Sequence, residues 1–256
     1  MEGTIGPSGG LSPTPGRPIA ARPAPAPDPT KAESKRNTQG GIRFDLPAIE
    51  QSLRAVQRDF KRINATLETR RDPLRDQVIS NLMTGYAYLD RLLAQGRNPL
   101  TPGNSADLLQ LNHLVLCGTD QAAIKDAAKH IAETEARFYN DGPGGVRELM
   151  NWLDSHRDQP IWRQTACAYI QIMSRPQLFI EGNHRTGALI MSAMLARNGK
   201  PPFVLTVNNA KAYFDPSTLA KESRKHSLQL FLRRPKLCKR LGELLKSEAD
   251  WGFLLP

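Results

Sequence analysis

The amino-acid sequence predicts an all-α protein, and two patterns carry this prediction. Apolar residues recur every three or four positions through most of residues 44–246, which is the spacing of helices with one buried face. The best strand candidate, Pro202 to Val207, is only six residues long. We therefore expect a bundle of helices with at most one small β element.

Residues 1–43 are predicted to form a disordered tail. The first 40 residues are rich in Pro, Gly, Ala and Ser and contain no aromatic side chain. Such a segment cannot bury enough apolar surface to offset the entropy that it would lose on ordering. A solvated tail is the simplest interpretation, and a docking or export segment is the alternative.

The charge of the chain indicates the chemistry of its partners. A formal net charge of +10 and a pI near 9.8 favour acidic partners. Nucleotides, nucleic acid, anionic membrane surfaces and acidic proteins all meet this description. The charge does not predict the fold.

The cysteines and the apolar runs indicate the cellular compartment in which we expect the protein. Cys117, Cys167 and Cys238 lie far apart and fit no metal-binding spacing, so we expect reduced thiols in a cytoplasmic protein. No stretch has the length and apolarity of a transmembrane helix, so we expect no membrane span. The first residues lack the apolar core of a signal peptide. Export as an effector, by a route without a readable signal, is compatible with the sequence.

The N-terminal half of the domain predicts two long helices. In the first, Leu46 to Ile63, apolar residues follow helical spacing, and Pro47 suits a first turn. The charged residues between Asp59 and Asp72 are expected to form a solvated helix face. The second helix runs from Asp76 to Gln95, and the loop at residues 98–104 follows it.

Shorter helices are predicted in the middle of the chain. They cover Asp107 to Leu116 and Gln121 to Ala132, and Asp120 is a suitable N-cap for the second of them. Residues 134–140 have no clear periodicity, and the Gly- and Pro-rich residues 141–145 form a turn. The sequence therefore allows a short β-hairpin here.

The C-terminal half predicts further helices around one polar stretch. Helices over Val146 to Ser155 and from Ile161 to Met173 lead to residues 179–187, which are compact and charged. Another apolar helix follows and ends at Asn198-Gly199. Lys221 to Lys246 is predicted to be a helix with a basic face and an apolar face.

The basic helix has two interpretations. Its basic residues face only two acids, Glu222 and Glu243. We expect a solvated outer face packed on the domain, and the alternative is a docking surface for nucleic acid or an acidic target. No helix-turn-helix, zinc-finger or RNA-binding signature supports base recognition. The basic residues are Arg224, Lys225, Arg233, Arg234, Lys236, Lys239 and Arg240.

The polar stretch has the composition of an anion site. A loop that enters a helix at Gly182-Asn183 offers free backbone N–H groups and the positive helix end to an anion. Arg185, early in that helix, can bind phosphate oxygens. Glu181 would be repelled by a phosphate unless a cation such as Mg²⁺ bridged them. The alternative is a capped helix in which Glu181 and Arg185 pair with each other.

The same stretch resembles the motif of the Fic (Fido) domain family. That family carries His-x-Phe-x-[Asp/Glu]-Gly-Asn-Gly-Arg-x-x-Arg between two core helices of an all-helical fold. The chain has Gln-Leu-Phe-Ile-Glu-Gly-Asn-His-Arg-Thr-Gly-Ala at 177–188, in which Phe179, Glu181, Gly182, Asn183 and Arg185 match. The likeness extends more weakly over residues 76–215 and implies a Fic-like helical domain over residues 44–246.

The resemblance implies an activity and its site. Fic proteins transfer a nucleoside monophosphate, usually AMP from ATP, to a hydroxyl of a target protein, and the sequence does not identify that target. A flap at Thr134 to Tyr139 would align the target peptide by strand-like pairing. The implied ligands are a nucleotide and Mg²⁺, with Glu181 as the metal ligand. The implied nucleotide-binding residues are Phe179, Gly182, Asn183, His184, Arg185, Thr186 and Gly187.

Departures from the motif matter as much as the matches. The histidine that accepts the proton of the target hydroxyl is replaced by Gln177, which has no titratable group. The last glycine of the loop is His184, and the second arginine is Ala188. Thr84 stands where many Fic proteins have an inhibitory Glu that pairs with that arginine. We therefore expect no Glu-mediated autoinhibition.

Two interpretations of the catalytic residues stay open. In the first, His184 replaces Gln177 as the base or binds phosphate, and the enzyme uses another nucleotide or diphosphate donor. In the second, the site is inactive and the protein binds a nucleotide or a partner for regulation. A histidine that merely ends a helix is the plain alternative for His184. We favour the enzyme because Glu181, Asn183 and Arg185 are retained.

Overall fold

The computed structural model of the protein describes residues 42–256, which belong to one compact unit. Ten α-helices and one 3₁₀ turn, but no strand, occur in this range, so the all-α prediction is confirmed. The predicted tail at residues 1–43 lies almost entirely outside the described residues. The helices are α1 (Leu46–Thr66), α2 (Asp76–Ala94), α3 (Ala106–Cys117), α4 (Gln121–Asp126), α5 (Ala128–Phe138), α6 (Val146–Ser155), α7 (Ile161–Met173), α8 (Asn183–Arg197), α9 (Ala210–Glu222) and α10 (Leu228–Ser247).

Helix α8 lies at the centre of the bundle. Its side chains from Leu189 to Ala196 are buried on every face, as expected of a helix surrounded by others. It packs against α2, α3 and α7, and α10 covers another side of α7. The connection between α7 and α8, residues 174–182, therefore emerges from the middle of the core.

Close packing of α7 on α8 depends on a glycine. A Cβ atom at Gly187 would lie 2.8 and 2.9 Å from two ring carbons of Tyr169. Tyr169 itself is buried and fixed by hydrogen bonds, so its ring cannot move away easily. Only glycine permits this approach of the two helices.

The predicted β elements are not formed. Residues 134–138 belong to α5, and Thr134 and Phe138, one helical turn apart, are both fully buried. The expected hairpin flap is therefore wrong in this structure, although residues 139–145 do form a loop. Phe203 and Val204 are extended, but side chains rather than a neighbouring strand satisfy their carbonyl groups.

Two helices of the prediction are each divided in the structure. The helix predicted over Gln121 to Ala132 is interrupted at Ala127, between α4 and α5. The helix predicted over Lys221 to Lys246 is wrong as one element, because α9 ends at Glu222 and α10 begins at Leu228. The break between α9 and α10 pairs with the segment after α7. There the Lys225 N–H donates to the Arg175 carbonyl at 2.6 Å.

The apolar face of α10 is only partly buried. Leu230, Leu237, Leu241 and Leu245 are buried against the domain. The remaining large apolar residues near its start, Leu228, Phe231 and Leu232, are 72%, 74% and 68% exposed. The basic residues Arg233, Lys236, Lys239 and Arg240 are also exposed, as predicted for a solvated face.

The cysteines differ from the expectation. Cys167 on α7 and Cys238 on α10 are joined in a disulfide with a Cα–Cα distance of 5.0 Å. The prediction of three reduced thiols is therefore wrong for this pair. Cys117 is free and buried, as predicted. The sequence did not predict this disulfide, because the two cysteines are 71 positions apart. Only the packing of α10 on α7 brings them together.

The described chain closes on itself at its two ends. The Asp45 N–H donates to the Phe253 carbonyl at 2.9 Å, and the Leu255 N–H donates to the Arg43 carbonyl at 2.9 Å. Phe253 and Leu254 are buried, so residues beyond 246, the expected domain end, also contribute to the core. None of the helices within residues 42–256 combines the length and apolarity needed to traverse a bilayer.

The Gly187→Ala substitution should destabilise the protein. The new methyl group gains about 1 kcal/mol of helix propensity but meets the fixed Tyr169 ring, and overpacking costs about 1–3 kcal/mol. We expect a net loss of up to about 2 kcal/mol in the free energy of unfolding, measured by urea denaturation. Gly85→Ala is the comparison, because its methyl group would lie 2.5 Å from Cδ1 of Leu189, the end of a side chain that can rotate, and not against a ring held by hydrogen bonds. Equal stability of both variants would contradict the close-packing argument.

Candidate functional site

Gly182 turns the chain from the loop into α8. Its φ of 74° lies in the left-handed region, which an L-residue rarely adopts. A Cβ atom there would also lie 2.9 Å from the amide nitrogen of Asn112. No side chain caps this helix start, so the first N–H groups of α8 have no partner within the helix.

Asn183 holds the loop in shape. Its side-chain oxygen accepts from the Phe179 N–H at 2.9 Å, and its amide nitrogen donates to the Phe179 carbonyl at 2.8 Å. The Phe179 ring is buried and stacks on Phe138 at 5.5 Å between ring centroids. Asn183 and Phe179 thus fix the loop backbone from the core side.

Asn112 on α3 supports the loop from a second direction. Its amide nitrogen donates to the Glu181 carbonyl at 2.9 Å and to the Thr186 hydroxyl at 3.0 Å. The sequence pattern did not single out Asn112. An asparagine within an apolar helix, fully buried as this one is, is a signal of a residue that hydrogen-bonds a neighbouring segment. Thr186 and Gly187 face the core, so any effect that they have on a nucleotide acts through the shape of the loop.

Glu181 and Arg185 do not pair as the capped-helix alternative requires. The Glu181 side chain is exposed, and its Oε2 atom lies 3.8 Å from His130 Nε2. The Arg185 guanidinium donates to the Val115 carbonyl at 2.9 Å. Burial lowers the pKa of Arg185, while Glu181 acts in the opposite direction.

His184 Nδ1 lies beside a network of hydroxyl groups. The Tyr213 hydroxyl donates to the His184 carbonyl at 3.1 Å, and the Ser217 hydroxyl donates to the Tyr213 carbonyl. The Tyr169 hydroxyl lies 2.9 Å from Tyr213 Oη and 3.0 Å from both Ser217 Oγ and His184 Nδ1. When the Tyr169 proton goes to Tyr213 or Ser217, Tyr169 Oη accepts from His184 Nδ1; when it goes to His184, Nδ1 is the acceptor.

In the tautomer that has its proton on Nδ1, His184 carries a lone pair on Nε2. That nitrogen is buried and has no hydrogen-bond partner in the described part of the protein. Burial, followed by the nearby charges of Arg71, Lys221 and Arg185, lowers the pKa of His184 to about 3. Without a ligand the imidazole is therefore neutral near pH 7.

Gln177 is tied down beside the loop. The side-chain nitrogen of Gln177 donates to the Met173 carbonyl at 3.0 Å. The backbone carbonyl of Gln177 accepts two hydrogen bonds from the Arg137 guanidinium, at 3.0 and 2.8 Å. It lines a cavity of about 210 Å³ together with Glu181, Asn183 and His184. An amide in this place can orient a ligand but cannot take up a proton.

A larger cleft of about 920 Å³ meets this cavity at Glu181, His184 and Arg185. Its walls come from the segment between α1 and α2, from the start of α8 and from α9. Six basic residues line it against three acidic ones. The basic residues are Arg70, Arg71, Arg75, Arg175, Arg185 and Lys221, and the acidic ones are Asp72, Glu181 and Glu222.

The cleft contains residues that sequence analysis placed elsewhere. Residues 59–72 were expected on a solvated helix face, but α1 ends at Thr66 and the chain then crosses the mouth of the cleft. Lys221 was expected in the basic helix and instead lies in the last turn of α9. Spacing along the sequence gives no signal for these neighbours, because each lies on a different element.

A metal would rely on very few protein ligands. Among residues 42–256, no group of three or more His, Cys, Asp or Glu side chains is arranged to hold a metal ion. The exposed Glu181 carboxylate at the junction of the two cavities fits a Mg²⁺ ion that takes its other ligands from phosphate and water. Mg²⁺ characteristically binds in this way.

No known family model and no curated protein matches this chain. The assignment of the site therefore depends on its own geometry and on the motif at residues 177–188.

Acidification should weaken the fold through His184. The unfolded histidine takes up a proton below about pH 6.5, whereas the buried one stays neutral until about pH 3. Stability is therefore fully present above pH 6.5 and is lost as the pH falls towards 3. Relative to pH 7.5, we expect His184 to contribute a loss of about 2 kcal/mol at pH 5.

The measurement is urea denaturation of the wild type and of His184→Asn at both pH values. The asparagine variant keeps a side-chain amide but cannot titrate, so its stability should fall less on acidification. An NMR titration of the His184 ring with a midpoint above pH 6 would contradict the assignment.

Proposed function

We propose that the protein is a Fic-like nucleotide-binding protein. It binds a nucleotide with Mg²⁺ through residues 179–187 and transfers a nucleotidyl (AMP-like) or related phosphate-linked group to a hydroxyl of a target protein. One observation supports this function above all: the uncapped start of α8 opens on a cleft in which basic residues outnumber acidic ones. A helix N-terminus beside guanidinium groups is a favourable site for phosphate.

Different groups of the loop would bind the phosphates and the Mg²⁺ ion. The first N–H groups of α8 and the half-buried Arg185 guanidinium face the phosphates. The Glu181 carboxylate would hold Mg²⁺, which neutralises phosphate charge when bound. The cleft of about 920 Å³ is large enough for a nucleotide.

Group transfer requires a proton acceptor. The target hydroxyl oxygen would form a bond to phosphorus as the bond to the leaving phosphate group breaks, and the hydroxyl proton must be taken up. Gln177 cannot accept it, whereas the unpartnered lone pair on His184 Nε2 can. A bound phosphate would raise the pKa of His184 and make the imidazole a better base.

An inactive binding module is the second candidate. It is favoured by the low pKa of His184, about 3 without a ligand, and by the absence of a titratable group at Gln177. Both candidates bind a nucleotide at the same cleft. They differ only in whether a covalent product is formed.

Nucleotide binding is tested by calorimetry with ATP, GTP, CTP, UTP and the corresponding diphosphates, with and without Mg²⁺. We expect saturable binding of at least one nucleotide, strengthened by Mg²⁺. Arg185→Gln should weaken it by about tenfold or more, because a charge-assisted hydrogen bond is lost. Arg240→Gln, on an exposed face of α10, is the matched control. Failure of every nucleotide to bind would overturn the proposal.

Catalysis is tested by a mass-shift search on candidate target proteins. The wild type should add a nucleotidyl mass, and His184→Ala should abolish the product while leaving nucleotide binding measurable. Gln177→His restores the family residue and serves as the comparison. If Gln177→His alone modifies a target, the natural protein is a binding module and the transferase is excluded.

A further inference from the structure

Arg71 is the most tightly positioned basic side chain of the cleft. Its guanidinium donates to the Phe214 carbonyl at 3.1 Å and to the Thr218 hydroxyl at 2.7 Å, and it stacks over the Phe214 ring at 4.6 Å. The side chain of Asn64 accepts from the Arg71 N–H and donates to the Arg71 carbonyl. Both the backbone and the side chain of Arg71 are therefore fixed before any ligand binds.

This guanidinium is held by neutral groups. Its hydrogen bonds go to a carbonyl and a hydroxyl, and its Nε is buried without a hydrogen-bond partner. A partly buried cation without an ion-pair partner loses hydration that neutral acceptors replace only in part. An anion in the cleft would compensate this loss. The Arg185 guanidinium likewise donates to a neutral group, the Val115 carbonyl.

Arg71 and Arg185 both influence the charge of the His184 imidazole. Both line the cleft with His184, and both lower the pKa of the His184 imidazole through their charge. They come from different elements, the α1–α2 segment and the start of α8. An anion bound in the cleft beside His184 would therefore be attracted by both guanidinium groups.

We propose that Arg71 and Arg185 form a two-guanidinium site for the diphosphate group of a ligand, in the cleft that His184 also lines. The cleft has an excess of three positive charges over its acidic residues, and a diphosphate carries about three negative charges near pH 7. Because Arg71 is already fixed, little side-chain entropy is lost on binding. This inference rests on the proposed function and names the residue that holds the second phosphate.

The test is calorimetry with inorganic pyrophosphate, inorganic phosphate, ADP and AMP. The proteins are the full chain with its natural sequence and the variants Arg71→Gln and Arg240→Gln. Arg71→Gln should weaken pyrophosphate and ADP binding by about 10- to 100-fold, the range for a lost charge-assisted hydrogen bond, and AMP binding by much less. Arg240→Gln removes an exposed cation of α10, which does not line the cleft, and should change affinity by less than about threefold.

Two further variants test whether Arg71 contacts the phosphate or only supports the structure of the cleft. Arg71→Lys keeps the charge but loses the planar fork, and Thr218→Val removes one of the groups that hold it. Both should weaken pyrophosphate binding by an intermediate factor, and thermal melting checks that they are folded. Pyrophosphate should also raise the pKa of His184 in an NMR titration of the wild type but not of Arg71→Gln.

Each outcome separates this site from the proposed function. Pyrophosphate binding that depends on Arg71, without binding of any nucleotide, would support the site and overturn the nucleotide proposal. Nucleotide binding that Arg71→Gln and Arg71→Lys leave unchanged would overturn the site and leave the proposed function standing. If neither pyrophosphate nor any nucleotide binds the wild type, both are wrong.

Discussion

The close approach of α7 and α8 at Gly187 controls the geometry of the site. Because the Tyr169 ring occupies the space of a Cβ atom at this glycine, the two helices lie closer than ordinary side chains would allow. The same ring carries the hydroxyl that fixes His184 Nδ1. The connection between the helices must then reverse within a few residues, and the side chain of Asn183 holds that reversal through Phe179. The packing of α7 on α8 and the shape of the loop between them therefore depend on the same residues.

The electrostatics of the cleft follow from which groups are left without a carboxylate. Several cations elsewhere in the described chain pair with acids, as in Arg43 with Asp90 and Lys225 with Glu148. Around His184, guanidinium groups are instead held by carbonyl and hydroxyl oxygens, which position them without neutralising them. Such an arrangement costs stability in the free protein and would favour an anionic ligand. Together with burial, it keeps the imidazole neutral in the free protein.

Elements with regular apolar spacing and clear turns at both ends were predicted well, and elements without a clear period or with an internal break were not. Helix α6 has the predicted bounds because its apolar spacing and its flanking turns agree. Residues 134–138 gave no clear period, yet burial of Phe138 against Phe179 places them in a helix. The break after Glu222 is invisible in the pattern of leucines, because pairing with Arg175 rather than local propensity ends the helix.

The sequence by itself determined the helical class and the order of the main helices. It also determined the local features of residues 177–188, since Gly182, Asn183 and their neighbours act over distances of a few residues. Tertiary structure alone decided which distant groups surround His184. Asn112 and Arg71 lie more than 70 positions from it in the chain. Asn112 contacts the loop at Glu181 and Thr186, and Arg71 acts on the His184 imidazole through its charge, because α8 packs at the centre of the bundle. Periodicity reports which face of an element is buried, but not which other element covers it.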